Sequence, residues 1–170
     1  YRRQRQMCIR DREVHIDGFN IIITLEIALS GSTLLKCMDG TIRDLAGLRG
    51  TYRIIGKTHE AIRLLLCRLK ELETERAVFY LDSPVSNSGK LRALILDTAR
   101  EEAIDCQVHL VPNADAVLKE TEHVITSDAI ILDHCKSWLN PLPGLLSSSL
   151  PGLRFVDLTM QGPETGPKTS

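Results

Sequence analysis

The sequence predicts an α/β fold, specifically a three-layer α/β/α sandwich on a mainly parallel sheet of about five strands. Short apolar segments alternate along the chain with longer segments of helical periodicity, the pattern of parallel strands joined by crossover helices. The strand segments are apolar almost throughout, as expected for strands covered on both faces. The 170 residues, of which 43% are hydrophobic, suffice for one such domain with its own core.

We predict strands at 14–17, 77–82, 107–111, 123–126 and 154–158. The first ends in Asp17-Gly18, after which the chain turns helical. A long central helix carries apolar residues on one face at Ile62, Leu65 and Leu69 and charged residues on the other. Another helix opens at Ser88-Gly89, and a helical run covers 115–122. The stretch 30–53 is the longest irregular insertion, and such insertions often carry function.

The ends of the chain differ in composition from its centre. Residues 1–13 are rich in arginine and predict a basic linker or the end of a preceding domain. The α/β domain is expected to span 14–160. Residues 161–170, rich in Gly, Pro and Thr, predict a flexible tail.

Charge and cysteine content narrow the classes of function. The net charge of -1 provides no global positive field, so any nucleic-acid binding requires a local patch. The five cysteines are widely spaced and form no C-x-x-C pair, which argues against a zinc site and a disulfide scaffold and favours a cytoplasmic setting. No apolar stretch reaches the roughly 20 residues that span a bilayer, so no membrane partner is expected.

Acidic residues recur at the predicted strand ends. Asp17, Asp82 and Asp128 each follow an apolar strand, and Asp115 opens the helical run before the fourth strand. Carboxyl ends of parallel strands meet at one sheet edge, and gathered carboxylates repel one another unless a cation lies among them. Hard carboxylate oxygens select Mg²⁺ or Mn²⁺. We therefore predict that these four acids form a metal site and act in catalysis, with Glu60 as a further candidate.

A capping role is the alternative for each acid, because Asp is a preferred N-cap residue. For Asp82 and Asp115 the two interpretations weigh equally. For Asp17 a functional role is favoured, because Gly18 and Asn20 indicate a tight turn with a second polar group directed to the same place. Capping or solvation is favoured for Asp133.

Polar and basic residues near these acids are candidates for substrate binding. The loop after Asp82 offers hydroxyl, amide and ammonium groups before a helix, which suits a phosphate cradle, although an N-cap turn with Ser86 or Ser88 as the cap is equally compatible. Basic residues also cluster near the glycine-bearing insertion, at Arg43, Arg49, Arg53, Lys57 and Arg63, where they would contact a nucleic-acid backbone. For each of them singly, a solvated face is the favoured alternative. The predicted substrate-binding residues are Asn20, Ser86, Asn87, Ser88, Lys90, Arg43 and Arg53.

These motifs together resemble the PIN-like nuclease superfamily. The first acid of that family ends the first strand, as Asp17 does in Ile16-Asp17-Gly18-Phe19-Asn20. Its second is a helical glutamate, matched by Glu60, and its third opens a helix, matched by Asp115. Its fourth lies in a T-x-D run, matched by Thr126-Ser127-Asp128. The loop from Leu81 to Gly89 further resembles an uncharacterised prokaryotic branch, in which a small domain precedes the PIN-like core.

The resemblance implies a hydrolase that cleaves phosphodiester bonds with Mg²⁺ or Mn²⁺, in particular an endoribonuclease. RNA is the expected partner, single-stranded DNA is the alternative, and a homodimer is compatible with this class. The competing interpretation is a catalytically inactive PIN-like module for nucleic-acid binding or assembly. A phosphatase of the haloacid-dehalogenase type ranks last, because Phe19 occupies the place of its second aspartate.

Overall fold

The computed structural model describes residues 12–43 and 51–157. These residues form an α/β fold with a parallel four-stranded sheet, in the order β5-β4-β1-β6, and a small mixed sheet, in the order β3-β2-β7. The strands are β1 (Glu13–Asp17), β2 (Leu34–Lys36), β3 (Ile42–Arg43), β4 (Arg76–Asp82), β5 (Cys106–Val111), β6 (Val124–Ile125) and β7 (Phe155–Asp157). The helices are α1 (Gly18–Leu29), α2 (Thr58–Glu71), α3 (Ser88–Glu101), α4 (Ala114–Leu118), α5 (Ala129–His134) and α6 (Leu142–Ser149).

Strand β1 lies in the interior of the parallel sheet. It pairs with β4 on one side, where Asp17 aligns with Tyr80, and with β6 on the other, where Ile16 aligns with Ile125. Because all three strands run in the same direction, their carboxyl ends share one edge. Asp17, Asp82 and the residues after Ile125 are therefore delivered to that edge, and the prediction of a mainly parallel sheet is confirmed.

The two faces of the parallel sheet are covered differently. Apolar side chains of β1 and β4 pack with α1, α2, α3 and α6 in one large buried core. A smaller cluster around Leu118, Val124 and Ile131 lies under α4 and α5, with Tyr80 and Trp138 packed against it. Because strand residues alternate between faces, Val14 and Ile16 enter the large core whereas His15 does not.

The expectation that every strand is buried on both faces is wrong for β5. Gln107 and His109 are exposed while Val108 between them is buried. Strand β5 stands at the edge of the sheet, where no layer covers its second face in the described part of the chain. The rings of His15, Tyr80 and His109 instead form a row across three strands, with centroids 5.8 Å and 5.5 Å apart.

The prediction of about five strands in one sheet is also wrong. The predicted strand at 154–158 exists as β7, but it pairs with β2, so that Leu34 aligns with Phe155 in the second sheet. Both β2 and β3 lie within the stretch expected to be irregular. They are joined by a turn at Asp39-Gly40, in which Gly40 has φ +81° and the Asp39 carboxylate accepts a hydrogen bond from Thr41 N at 3.0 Å.

The predicted helices are present, with one change of length. Helices α2 and α3 contain the expected apolar faces, whereas α4 ends at Leu118 instead of 122. The chain forms a turn directly after α4, in which Thr121 N donates to Leu118 O, three residues earlier, at 3.1 Å. The predicted linker 1–13 lies outside the described residues except for Arg12 and Glu13, and Glu13 already belongs to β1. The predicted tail 161–170 lies outside them entirely.

Candidate acidic site at the carboxyl edge of the sheet

Asp17 is the most buried of the predicted site acids, with 6% of its surface exposed. Its Oδ2 accepts a hydrogen bond of 2.8 Å from Thr126 Oγ1. Burial, together with the negative charges of Asp115, Asp128 and Asp82, raises the pKa of Asp17 to about 7 against the opposing effect of the Thr126 bond. The four predicted acids therefore share one electrostatic neighbourhood.

Gly18 allows α1 to begin directly beside β4. A Cβ atom at this position would meet the Leu81 side chain and lie 3.1 Å from Tyr80 O. Asp17 occupies the N-cap position of α1, but its side chain makes no capping hydrogen bond. The capping alternative does not describe Asp17, whose carboxylate bonds to Thr126 instead.

Asn20 fixes the loop that follows β6. Its Oδ1 accepts hydrogen bonds from Ser127 N and Ser127 Oγ, both at 2.9 Å. Asp128 N in turn donates to Thr126 Oγ1 at 3.1 Å. The side chain predicted to bind substrate thus holds the loop between Asp17 and Asp128 in place. Sequence reasoning did not assign hydrogen-bonding roles to Thr126 and Ser127, although small hydroxyl residues directly after a strand are a signal for such a turn.

Capping interactions are present at Asp82 and Asp128. Asp128 Oδ1 accepts from Ile130 N at 2.8 Å and caps α5. Asp82 Oδ1 accepts from Ala114 N at 2.8 Å at the start of α4. Both residues make these bonds through Oδ1, so a backbone contact and a ligand contact through Oδ2 are compatible in each.

Asp115 is exposed on the first turn of α4, and Asn113 provides the cap of that helix, with Oδ1 accepting from Ala116 N at 3.2 Å. Partial burial of its carboxylate raises the pKa of Asp115, and the negative charges of Asp128 and Asp82 act in the same direction. Asp115 is therefore not the capping residue, and it belongs electrostatically to the group around Asp17.

The remaining acidic candidates lie elsewhere. Glu60 is exposed on the first turn of α2, and the charges that raise the pKa of Asp17 do not include it. Asp133 is exposed in α5. The insertion contains two further acids to which the sequence assigns no role: Asp39 accepts hydrogen bonds in the hairpin described above, and Asp44 lies outside the described residues.

Arg43 reaches the acidic edge from the second sheet. Its Nε donates to Ser127 O at 2.6 Å, and its Nη2 lies 2.9 Å from Asp39 Oδ2. The Arg43 guanidinium is therefore bonded to the residue that directly precedes Asp128 in the sequence. Burial opposes ionisation of Asp39, but hydrogen bonds from Thr41 and the charge of Arg43 lower its pKa below the ordinary value.

The other predicted basic residues are dispersed. Arg53, Lys57 and Lys90 are exposed, and Arg49 lies outside the described residues. Arg63 pairs with Glu102 at 2.9 Å.

The loop predicted to cradle phosphate is engaged within the molecule. Ser86 Oγ accepts from Tyr52 N at 2.9 Å, and Asn87 Nδ2 donates to Tyr52 O at 2.7 Å. Asn87 occupies the cap position of α3 with φ +64°, without a side-chain capping bond. Ser88 Oγ donates to Ser83 O at 3.3 Å. Ser86 and Ser88 are therefore not the caps of α3, and two of the cradle side chains hold the segment that contains Tyr52.

The carboxylates at the sheet edge do not form a closed ligand shell. Within residues 12–43 and 51–157, no three His, Cys, Asp or Glu side chains lie close enough together to make a ready-made metal site. The same residues contain no helix that is long and apolar enough to cross a membrane.

Comparison with known proteins assigns the chain to a family. The family described as a domain of unknown function, DUF5616, matches residues 7–143. The chain belongs to this family. An uncharacterised protein of Methanocaldococcus jannaschii is 38% identical over 123 residues, which cover 72% of this chain and 59% of that protein. The chain thus spans less than two thirds of this relative. No solved structure matches the chain.

The family match contains the whole acidic edge of this DUF5616 chain. Residues 7–143 include Asp17, Asp82, Asp115 and Asp128, and they also include the hydroxyl and amide groups that position the loop after β6. Strand β7, which completes the second sheet, lies beyond the matched region.

Proposed function

We propose that the acidic edge is the active site of a Mg²⁺- or Mn²⁺-dependent nuclease that hydrolyses phosphodiester bonds, with RNA as substrate. The observation that supports this proposal is the environment of Asp17. This carboxylate is buried and its ionised form is disfavoured by the negative charges of three further acids, which is costly in a protein without a compensating cation. A bound divalent cation removes that cost.

The donor set suits a hard cation. Carboxylate oxygens are the ligands that Mg²⁺ and Mn²⁺ prefer, and Mg²⁺ is usually held by one or two carboxylates while it keeps several waters. A closed shell of three protein ligands is therefore not required. In this proposal Asp17, Asp115 and Asp128 hold the cation directly or through water. Asp82 completes the set in preference to Glu60, because the charge of Asp82 acts on Asp17 and that of Glu60 does not.

A divalent cation at this edge would supply an activated water and charge stabilisation for the phosphate. The chain's own residues have separate tasks. Asn20 keeps the loop after β6, and with it Asp128, beside Asp17. Arg43 offers a guanidinium next to the same loop, where a substrate phosphate approaching the acids would meet a positive charge. Arg53 and Lys90 are exposed and would contact the strand farther from the acids.

The arrangement of secondary structure supports the comparison with PIN-like nucleases. The resemblance requires a parallel α/β sheet whose strand ends gather acids, and Asp17, Asp115 and Asp128 occupy the first, third and fourth positions of its pattern. We accordingly propose a PIN-like α/β/α arrangement, with the second sheet as an addition to it.

A specific observation favours a second candidate, a non-catalytic module that binds nucleic acid. Asp82 and Asp128 both bond to backbone N–H groups at helix starts, and such bonds give these acids a structural purpose without a metal. A module of this kind would bind RNA, and its binding would not lead to cleavage.

Cation binding and RNA cleavage must be measured together to distinguish the nuclease from the non-catalytic module. Isothermal titration with Mn²⁺ is compared between the wild-type chain and Asp17→Asn, and a labelled single-stranded RNA is incubated with each. The nuclease proposal expects Mn²⁺ binding and cleavage by wild type and the loss of both in the variant. RNA binding without cleavage at any Mn²⁺ concentration would favour the non-catalytic module.

A further inference from the structure

The two edges of the parallel sheet are protected to different degrees. At one edge, β6 has only two residues, and a later segment of the chain bonds to its outer side. Val124 N donates to Ser137 O at 3.0 Å, and Leu139 N donates to Val124 O at 2.8 Å. At the other edge β5 has six residues and pairs only with β4 among the described residues. An uncovered edge strand of this length is a template for pairing with another strand.

Strand β5 lacks the usual features that prevent such pairing. Its sequence, Cys-Gln-Val-His-Leu-Val, contains no lysine, no acid, no proline and no glycine, in a chain with 25% charged residues. Its alignment with β4 is continuous over six residue pairs, so no bulge interrupts the strand. Leu110 is 37% exposed there. The edge is therefore neutral, regular and partly apolar.

The pairing with β4 shows which backbone groups face outward. Asp105 O accepts from Ala77 N at 3.0 Å and Val111 O accepts from Ser83 N at 2.8 Å, so odd-numbered residues of this strand direct their carbonyls toward β4. Because the direction alternates along a strand, Cys106, Val108 and Leu110 direct N–H and C=O groups to the open side.

We propose that β5 pairs antiparallel with β5 of a second copy of this chain, about a two-fold axis at Val108. In this register Val108 faces itself and Cys106 faces Leu110, so apolar side chains meet apolar ones on the side of α3. Gln107 faces His109 on the opposite side, and both side chains are exposed. No charged side chain of β5 faces another, and the outward backbone groups of both strands find partners.

A second copy is the occupant that the symmetry of the strand favours. The three outward-facing residues are evenly placed about Val108, so a two-fold axis uses all of them and closes the assembly at two chains. The result is a continuous sheet of eight strands, four from each copy. This inference does not depend on the acidic site, which lies at the strand ends and not along β5.

Matched charge variants test this register. In Gln107→Lys with His109→Lys, two lysine pairs face each other across the axis, whereas in Gln107→Lys with His109→Glu each lysine faces a glutamate. Both variants lose the ring contact between Tyr80 and His109, so that loss does not distinguish them, and the main difference between them is the sign of the charge at position 109. We expect the dissociation constant of the first to exceed that of the second by about tenfold or more.

The measurement is sedimentation equilibrium of the full 170-residue chain, with far-UV circular dichroism to verify that each variant is folded. Wild type and the Lys/Glu variant should give twice the chain mass of 19.0 kDa, and the Lys/Lys variant should shift to the single mass. Leu110→Pro removes one outward N–H without touching the bonds to β4, and it should weaken the dimer as well.

A monomeric wild type at the highest soluble concentration would overturn the proposal. So would equal dissociation constants for the two charge variants.

Discussion

Thr126 Oγ1 donates a hydrogen bond of 2.8 Å to Asp17 Oδ2, linking two strand ends that are 109 residues apart in the chain. The same Thr126 oxygen accepts from Asp128 N at 3.1 Å. One hydroxyl thus fixes a buried carboxylate and the backbone that carries a second acid. This relationship lets stability and site geometry be tested by the same substitutions.

Thr126→Val should destabilise the fold by about 1–3 kcal/mol, because a buried carboxylate loses its donor and Asp128 N loses its acceptor. The Thr126 bond lowers the pKa of Asp17, so its removal penalises the ionised form most. The loss should therefore be greater at pH 8 than at pH 5, measured by urea unfolding. Thr121→Val removes a hydroxyl that bonds only within its own turn and provides the control. A pH-independent loss would contradict this account of Asp17.

Asp17→Asn should stabilise the metal-free protein at pH 8. Because the pKa of Asp17 rises from 3.8 to about 7 on folding, the stability associated with its neutral form is full below about pH 4 and is lost as the pH rises through 7. Because the amide carries no charge, the free energy of unfolding of the variant should exceed that of wild type by on the order of a few kcal/mol at pH 8 and should equal it at pH 3.5. Thermal unfolding in EDTA across this range checks the result. A variant that is less stable than wild type at pH 8 would contradict the direction of the shift.

Gly18→Ala should destabilise the protein by about 1–3 kcal/mol, since the added methyl group meets Leu81 and the Tyr80 carbonyl. Gly89→Ala is the matched control, because a Cβ atom there has no neighbour within 4 Å and the position lies in the first turn of α3. That substitution should be neutral or slightly stabilising. Chemical denaturation of both variants decides the comparison, and equal effects would mean that α1 does not need the close approach at Gly18.

Several elements of this fold are encoded locally and others are not. Strands β1, β4 and β5 begin within one residue of their predicted starts, because each is a compact apolar run that ends in a turn. The pairing of β7 with β2 depends on contacts between residues about 120 positions apart, such as Leu34 and Phe155, and no local pattern specifies it. The Asp39-Gly40 dipeptide is typical of a hairpin turn and could have predicted the pairing of β2 with β3. The high glycine content of this stretch instead favoured an irregular insertion.

The site is divided in the same way. Strand-end position was sufficient to predict that Asp17, Asp82 and Asp128 lie at one sheet edge, whereas the engagement of Ser86 and Asn87 with Tyr52 depends on tertiary packing. Glu26 illustrates the limit further. It is buried at 7% exposure in the middle of α1, with hydrogen bonds from Tyr52 and Thr58, although a helical glutamate alone suggests a solvated face.

Arg43→Lys should weaken RNA binding by the proposed nuclease, because a single ammonium cannot bond Ser127 O and Asp39 together and still offer a planar fork to phosphate. The expected result is a several-fold rise in KM with a smaller change in kcat. Arg53→Lys keeps a positive charge on an exposed side chain, where contact with the RNA strand farther from the acids needs no planar fork, so it should change KM little. Steady-state cleavage of a labelled RNA gives both constants. Equal effects of the two substitutions would remove Arg43 from substrate binding.

The most direct test of a metal-dependent active site at this sheet edge is Mn²⁺-dependent cleavage of single-stranded RNA by wild type and by Asp17→Asn, each purified by the same procedure. The variant keeps the shape of the side chain, and a contaminating nuclease would be present in both preparations. We predict cleavage by wild type that requires Mn²⁺ or Mg²⁺ and falls by about a hundredfold or more in the variant. Equal rates in wild type and Asp17→Asn would contradict an active site at this edge of the sheet.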